Sequence, residues 1–199
     1  MLLRQDLPEP PTVPESVPCY VLPEHVLAAV CDTKTPQGCA AVLRIRQTPL
    51  KDGRLVVLDG VQDPGNVGTI IRTADAAGLD GVLLSSQCAD PFSPKVLRST
   101  MGSIFHLPVR VTEDLPGELR AMQSRGTVVI SSQLDGRPFY GAARGLERFA
   151  LVVGSEGHGV TDEVRQLSEL RLKLPMRGRA ESLNVAVAAG IMMYELTRE

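Results

Sequence analysis

The segment LRLKLPMRGRAESLNVAVAAGIMMYELTRE, Leu170 to Glu199, decides the fold that the sequence predicts. It contains a short alternating run that ends at Pro175, a hinge rich in glycine and arginine, and a helix predicted to begin near Ser182. This helix is apolar on nearly every side, which is typical of a helix buried in a domain centre or against a partner subunit. Its first turn is polar: Ser182 and Asn184 lie where free backbone N–H groups favour a polar or anionic ligand. A simple capping role for Ser182 is the alternative.

Upstream of this segment, short aliphatic runs alternate with helical patterns. The predicted strands are Leu55–Leu58, Val82–Leu84, Thr127–Ser131, Phe149–Val153 and Leu170–Leu174, with Ile104–Val109 extended. The predicted helices are Asn66–Ala77, Ser93–Met101, Asp114–Ser124 and Thr161–Ser168. This alternation predicts an α/β domain over residues 54–199, with a mainly parallel sheet and helices on both faces.

The beginning of the chain has a different composition. Residues 1–18 are crowded with proline and predict a flexible extension. Residues 19–46 predict a strand at Tyr20–Leu22, a helix at Glu24–Cys31 and a strand at Cys39–Ile45. This piece is too small for a core of its own, so it is either an appendage or the remnant of a longer domain.

Composition limits the location and the chemistry of the protein. The chain has 199 residues, its start lacks a signal-peptide core, and no apolar run is long enough to span a membrane. We therefore expect a cytoplasmic protein with no membrane partner. The four cysteines and three histidines do not occur at the spacings of zinc ligands, so we expect no metal site.

The net charge of −2 is not typical of a nucleic-acid-binding protein. Arginine is nevertheless locally dense, and a protein that binds nucleic acid at one place needs a basic patch rather than a basic surface throughout. The arginines in question are Arg72, Arg98, Arg144, Arg148, Arg177 and Arg179.

Three loops rich in polar residues and glycine follow predicted strands. They are DGVQDPGNVGTIIR (Asp59–Arg72), GSEGHG (Gly154–Gly159) and LPMRGRAESLN (Leu174–Asn184). Ligands of open parallel sheets bind beyond the carboxyl ends of the strands, so these loops are candidates for a site. No phosphate-binding pattern GxxxxGK[ST] is present and no GxGxxG opens a helix, which disfavours ATP, GTP and NAD. Taken singly, Asn66 could be only a helix cap and Glu156 only a solvated acid.

Together and in this order, the three loops resemble the signature of the SpoU (TrmH-like) RNA ribose 2′-O-methyltransferases of the SPOUT superfamily. The first motif is DPGNVGTIIRTADAAG, Asp63–Gly78, and the second is LVVGSEGHGV, Leu151–Val160. The third is LPMRGRAESLNVAVAAGIMMYE, Leu174–Glu195. The segment RSTMGSIFHLPV, Arg98–Val109, is also similar to the family's segment between the first two motifs.

The resemblance implies a fold, a cofactor and partners. The fold is a parallel α/β sheet whose C-terminal segment is tucked through a loop in a deep trefoil knot. The implied cofactor is S-adenosylmethionine (AdoMet), and the implied assembly is a homodimer built partly on the C-terminal helix. Ribosomal RNA is the preferred substrate and tRNA stays open. The implied cofactor-binding residues are Gly154, Glu156, Gly157, Leu174, Met176, Ser182, Leu183 and Asn184.

The resemblance also assigns catalytic positions, which are Arg72, Asn66, Glu156, Ser182 and Asn184. Arg72 would act on the 2′-hydroxyl, either as a base or as the group that binds the phosphate and stabilises the developing oxyanion. We favour the second role, because a guanidinium is essentially always protonated.

Two other functions fit parts of the sequence. The first is a non-catalytic RNA-binding or ribosome-assembly factor on the same scaffold. Family members usually begin with an RNA-binding domain, and residues 19–45 resemble only its closing helix and strand, so truncation and loss are both open. The second is a nucleotide-binding α/β protein with another activity, which the absence of a phosphate loop ranks last.

Overall fold

A computed structural model describes residues 1–31, 35–45, 48–143 and 145–198. These residues divide into two compact units, Met1–Arg46 and Gln47–Glu199. Residues 32–34, which follow the predicted helix Glu24–Cys31, lie outside the described residues, and so do Arg46 and Arg144.

The first unit contains a small three-stranded sheet and one helix. Its elements are β1 (Leu2–Arg4), β2 (Tyr20–Leu22), α1 (Glu24–Val30) and β3 (Cys39–Ala40). The sequence predicts a flexible extension over residues 1–18, whereas β1 is the middle strand, parallel to β2 and antiparallel to β3. A strand of three residues is recognisable only through partners that the chain supplies much later. The strand predicted over Cys39–Ile45 is reduced to its first two residues.

The second unit contains a six-stranded sheet in the order β6-β5-β4-β8-β7-β9, and each pair of neighbouring strands is parallel. The prediction of a mainly parallel sheet is therefore confirmed. The elements are β4 (Arg54–Asp59), α2 (Pro64–Ala76), β5 (Gly81–Ser85), α3 (Pro94–Thr100), β6 (Val109–Thr112), α4 (Leu115–Ser124), β7 (Val128–Pro138), β8 (Phe149–Gly154), α5 (Asp162–Leu167), β9 (Leu170–Lys173) and α6 (Val185–Leu196).

Helices cover both faces of this sheet, as predicted. Alternate residues of β4 belong to different cores, because successive side chains of a strand point to opposite faces. Val56 and Leu58 pack in a cluster with residues of α2, α3 and α6. Leu55 and Val57 pack in a second cluster with residues of α4 and α5. Both faces of the sheet are thus removed from water, which is the general condition for a parallel sheet.

Two helices begin two or three residues away from the predicted position, whereas the starts of α3, α4 and α5 differ from the prediction by one residue. Helix α2 begins at Pro64, and its cap is Asp63, whose Oδ1 accepts a hydrogen bond from the backbone N–H of Asn66 at 2.8 Å. Asn66 is therefore not the cap, and its side chain is available for other contacts. Helix α6 begins at Val185 rather than near Ser182, and Asn184 caps it.

The prediction of an extended segment over Ile104–Val109 is wrong for the first half of that segment. A single turn of 3-10 helix occupies Ser103–Phe105, and β6 begins only at Val109. The cause is a left-handed turn after α3, where Met101 has φ of 50° and Gly102 has φ of 95°.

Helix α6 is not buried on every face within this chain. Ala189, Met192 and Met193 are buried, whereas Val187, Ile191 and Tyr194 form an exposed stripe. Burial in a domain centre thus accounts for only one side of this apolar helix.

The order in which the chain adds strands to the sheet reverses between β4 and β8. From β4 the chain proceeds to β5 and β6 on one side, and β8, β7 and β9 lie on the other. Ligands of such sheets bind at the carboxyl ends of the two strands where the order reverses. Asp59 and Gly154 are paired at these ends, and the Asp59 carboxylate accepts a hydrogen bond from the N–H of Thr161 at 2.7 Å. The loops that follow β4 and β8 are therefore fastened side by side.

Candidate active site

Three polar side chains, one from each of the three loops, meet at this switch point. The Asn66 amide donates to Glu156 Oε1 at 2.8 Å. The Asn184 amide donates to Asn66 Oδ1 at 2.9 Å and to Glu156 Oε1 at 3.1 Å. We call this arrangement the Asn66–Glu156–Asn184 triangle. Its members are 28 to 118 positions apart in the sequence, so only the fold brings them together.

Each corner of the triangle is fixed by local structure. Asn184 Oδ1 accepts from the backbone N–H groups of Ala186 at 3.0 Å and Val187 at 3.3 Å, so the α6 cap also orients the amide. Asn66 lies in the first turn of α2. The N-termini of α2 and α6 consequently converge on the Glu156 carboxylate, which accepts a hydrogen bond from a side chain of each.

The loop that carries Glu156 is a tight turn closed by its own backbone. Ser155 and Gly159 exchange N–H···O bonds of 3.0 and 2.8 Å. A Cβ at Gly154 would lie 2.0 Å from the carbonyl carbon of Gly159, and Gly159 itself has φ of +69°. Both positions therefore require glycine. A Cβ at Gly157 would meet nothing within 4 Å, so this side of the loop is open.

A cavity of about 600 Å³ lies beside the triangle. Its volume is within the range of small-molecule sites, roughly 300–1,000 Å³. The cavity is lined by every residue that the sequence predicts to bind the cofactor, namely Gly154, Glu156, Gly157, Leu174, Met176, Ser182, Leu183 and Asn184.

Residues 132–135 form another wall of the cavity, which was not among the residues predicted from the sequence. They form a bulge in β7, where the pairing with β9 shifts between Ser132 and Arg137. Gly136 permits the bulge, because a Cβ there would lie 2.7 Å from the backbone of Arg171. The sequence does contain a signal for this wall: the mostly polar segment SQLDG, residues 132–136, directly follows a predicted strand, and the same strand-end rule applies to it.

The lining of the cavity fits an adenosyl group. Leu174, Met176 and Leu183 supply apolar contact for a flat ring. The backbone of residues 174–183 makes no hydrogen bond to any residue that the structure describes. Its N–H and C=O groups are therefore free for a ligand. Gln133 Oε1 is buried and has no partner in the same parts of the chain, although its amide nitrogen donates to Ser131 Oγ at 2.6 Å. A buried acceptor of this kind is costly unless a ligand satisfies it.

Two predicted catalytic residues stand apart from the triangle. Ser182 lines the cavity, but its hydroxyl makes no hydrogen bond to the described residues. Arg72 is exposed on α2, does not line the cavity, and has no hydrogen bond or salt bridge within the described ranges. The fold therefore unites three of the five predicted catalytic side chains, and places Ser182 nearby.

The described residues provide neither a cluster of metal ligands nor a helix that could span a membrane. No group of histidine, cysteine and acidic side chains among them could hold a metal ion. None of their helices is long and apolar enough to cross a membrane.

Solved structures define the class of protein to which this fold and cavity belong. The structure matches the AdoMet-bound rRNA methyltransferase from Sinorhizobium meliloti with a TM-score of 0.77 and 34% identity, over 90% of this chain and 71% of that one. It matches the SpoU methyltransferase AviRb from Streptomyces viridochromogenes, in complex with AdoMet, with a TM-score of 0.77 and 25% identity, over 99% and 81%. The chain thus has the fold of the AdoMet-dependent RNA methyltransferases.

The sequence comparisons identify the family. Residues 53–194 match the SpoU rRNA Methylase family. The chain is 44% identical over 197 residues to the 23S rRNA (guanosine(2553)-2′-O)-methyltransferase RlmP of Bacillus subtilis, covering 98% of this chain and 79% of that protein. The chain belongs to the SpoU rRNA Methylase family, as the three motifs predict.

Proposed function

We propose that this protein transfers a methyl group from AdoMet to a ribose 2′-hydroxyl of ribosomal RNA. The Asn66–Glu156–Asn184 triangle at the edge of the cavity is the observation that carries the proposal, because it joins all three family motifs at one place. The Bacillus subtilis relative is named for a guanosine of 23S rRNA, so a guanosine of that RNA is the first acceptor to examine. An assembly factor without catalysis would have no need of such a triangle, nor of a cavity that fits the cofactor.

Residues of the cavity would hold the cofactor. The unpaired backbone of residues 174–183 and the Gln133 acceptor suit the adenosyl part, and the open side of the loop at Gly157 allows close approach. When bound, AdoMet supplies a methyl group that its sulfonium already activates. The protein must then align the acceptor and assist the loss of its proton.

Glu156, Arg72 and Ser182 have different roles in aligning and activating the acceptor hydroxyl. Glu156 accepts hydrogen bonds from two amides and so fixes Asn66 and Asn184 in one orientation at the cavity edge. Arg72 is exposed and unpaired in the described structure, which leaves it free to bind a phosphate or the developing oxyanion of an RNA that arrives from solvent. A preorganised cation at the reacting oxygen contributes more than one that must leave another partner. Ser182 supplies a further hydroxyl at the cavity wall.

We also propose that residues 174–184 form a trefoil knot. Strand β9 lies at the sheet edge beyond β7, whereas α6 packs against α2 and β8. The connection between β9 and α6 must therefore cross the carboxyl ends of β7 and β8, where the loop of Glu156 lies. Passage through a loop at this crossing would explain why the cofactor cavity has walls from both segments.

A homodimer built on α6 is the proposed assembly. The stripe of Val187, Ile191 and Tyr194 is apolar and exposed in a helix whose other side is core. An apolar stripe of this kind is stabilised when a second copy covers it. Residues 19–46 are proposed to assist RNA recognition, and the protein is proposed to act in the cytoplasm.

The test combines Arg72→Ala with methyl transfer from labelled AdoMet to 23S rRNA from cells that lack the gene. We expect calorimetric AdoMet binding at the wild-type affinity and a fall in transfer rate of about 100-fold or more, the cost of one lost transition-state donor. Arg171→Ala is the matched control, since Arg171 is an exposed arginine of β9. Full transfer by the Arg72 variant would refute the role of Arg72. Absence of AdoMet binding by the wild type would refute the function itself.

A further inference from the structure

The turn between α3 and β6 exposes two large apolar side chains. Met101 is 73% exposed and Phe105 is 68% exposed, although Ser103 and Leu107 between and after them are buried. Met101 has φ of 50°, a left-handed conformation that is uncommon for a residue with a side chain. The fold therefore holds an apolar surface in solvent on a firmly anchored turn. We call residues 101–106 the exposed turn.

Helix α3 and the exposed turn that follows it lie against α2 on the two sides of Arg72. A Cβ at Gly68 would lie 2.3 Å from Cβ of Ser99, so the two helices approach to backbone distance just before the turn. At its other end, His106 Nδ1 lies 3.7 Å from Asp75 Oδ2. Gly68, Arg72 and Asp75 are four and three positions apart, the spacing of one helix face. Arg72 thus lies between the two contacts, beside the turn.

The helices next to this apolar surface, α2 and α3, carry three exposed cations, and one carboxylate, Asp75, faces the turn at His106. Arg72, Arg98 and Lys95 are exposed, and their side chains have no hydrogen bond or salt bridge inside the described ranges. The whole chain has a net charge of −2, so the cluster is local rather than a reflection of composition. Aromatic rings combined with unpaired cations are the usual means of binding single-stranded nucleic acid, in which bases stack and phosphates are neutralised.

Resting on the proposed function for RNA as the substrate, we propose that Phe105, flanked by Met101, stacks on a base of the RNA strand next to the nucleotide held at Arg72. A second copy of this chain is the other possible occupant of the apolar surface. It would bury the unpaired cations around the turn without neutralising them, and buried unpaired charge is costly. The phosphates of an RNA strand neutralise the same cations.

The chain has no tryptophan, which makes a spectroscopic test possible. In Phe105→Trp the new indole is the sole tryptophan, and its fluorescence reports stacking directly. A 12-nucleotide adenylate RNA is expected to quench it, whereas an abasic RNA of the same length and charge is not. Tyr140→Trp is the control, because Tyr140 is 54% exposed and follows β7, towards the opposite edge of the sheet. Equal quenching by both RNAs in Phe105→Trp would overturn the proposal.

Affinities of the two RNAs provide the second measurement. The wild type is expected to bind the adenylate RNA more tightly than the abasic RNA, by roughly 5- to 100-fold for one stacked base. Phe105→Ala is expected to lose this preference, and Phe105→Tyr, which keeps the ring, to retain it. A preference that survives in Phe105→Ala overturns the stacking role. Sedimentation of Phe105→Ala at a lower mass than the wild type would instead assign the turn to a contact between copies.

Failure of this proposal and failure of the proposed function give different results. If the wild type does not methylate 23S rRNA but Phe105→Ala still loses the base preference, the enzyme function fails and the stacking surface stands. If the wild type methylates the RNA and Phe105→Ala keeps the base preference, the stacking proposal fails and the enzyme function stands.

Discussion

Replacement of Asn184 by alanine should damage stability and catalysis for separate physical reasons. The side chain caps α6 through two backbone N–H groups, and its amide nitrogen holds Asn66 and Glu156. Alanine removes the cap and the bridge together. Serine keeps a capping oxygen but is too short to reach the other two residues of the triangle. The pair Asn184→Ala and Asn184→Ser therefore separates the two roles.

The expected magnitude follows from these contacts. Loss of an N-cap costs about 1 kcal/mol, within a range of roughly 0.5–2. The two side-chain hydrogen bonds of the amide are exposed to solvent, so together they add about 1 kcal/mol at most. The sum of about 0.5–3 kcal/mol corresponds to a fall in Tm of roughly 1–12 °C, at about 2–4 °C per kcal/mol for a chain of this size.

Calorimetric unfolding and methyl transfer to 23S rRNA measure the two effects. Asn184→Ser should unfold within about 1 kcal/mol of the wild type, because serine and asparagine cap similarly, yet lose methyl transfer as Asn184→Ala does. Asp114→Ala is the matched control. Asp114 caps α4 by accepting from the N–H of Gly117 at 2.8 Å, so its loss should lower stability by about 1 kcal/mol and leave methyl transfer unchanged.

Either of two results would refute this reasoning. Wild-type stability in Asn184→Ala would show that the cap seen in the structure contributes nothing. Wild-type methyl transfer in Asn184→Ser would show that the triangle does not position the acceptor.

Two further predictions concern packing around the same site. Gly154→Ala should abolish AdoMet binding in calorimetry, because its Cβ would overlap the carbonyl carbon of Gly159 at 2.0 Å and open the loop; normal binding would contradict the assigned close approach. Burial raises the pKa of the Cys88 thiol, and the thiolate is the reactive form, so iodoacetamide should label Cys88 more slowly than the exposed Cys39 at neutral pH. The difference should shrink as pH rises and vanish in denaturant, as peptide mass spectrometry can measure; equal native rates would contradict it.

The sequence predicts most of the second unit because its signals are local. Aliphatic runs such as Leu55–Leu58 mark strands whose two faces are both buried, and Gly78, which has φ of +69°, follows the end of α2. The apolar spacing of Val67, Ile70 and Ile71 identifies α2, the helix between β4 and β5, and all three residues are buried. These signals lie within a few residues of the element that they predict.

Long-range contacts account for the differences. Strand β1 depends on partners at Tyr20–Leu22 and Cys39–Ala40, and a segment of three residues carries no periodicity by itself. The capping of α6 could not be assigned to Asn184 rather than Ser182, since both residue types are good caps. The β7 bulge became visible only through its shifted pairing with β9.

The amino-acid sequence by itself determined the alternation of strands and helices, the three glycine-rich motifs and hence the family of this protein. The tertiary structure alone decided that Asn66, Glu156 and Asn184 share hydrogen bonds, that residues 132–135 complete the cavity, and that Arg72 lies beside an exposed phenylalanine turn. The physical reason is distance along the chain. A pattern within one element follows from local backbone geometry, whereas contacts across about a hundred residues depend on which strands are neighbours in the sheet.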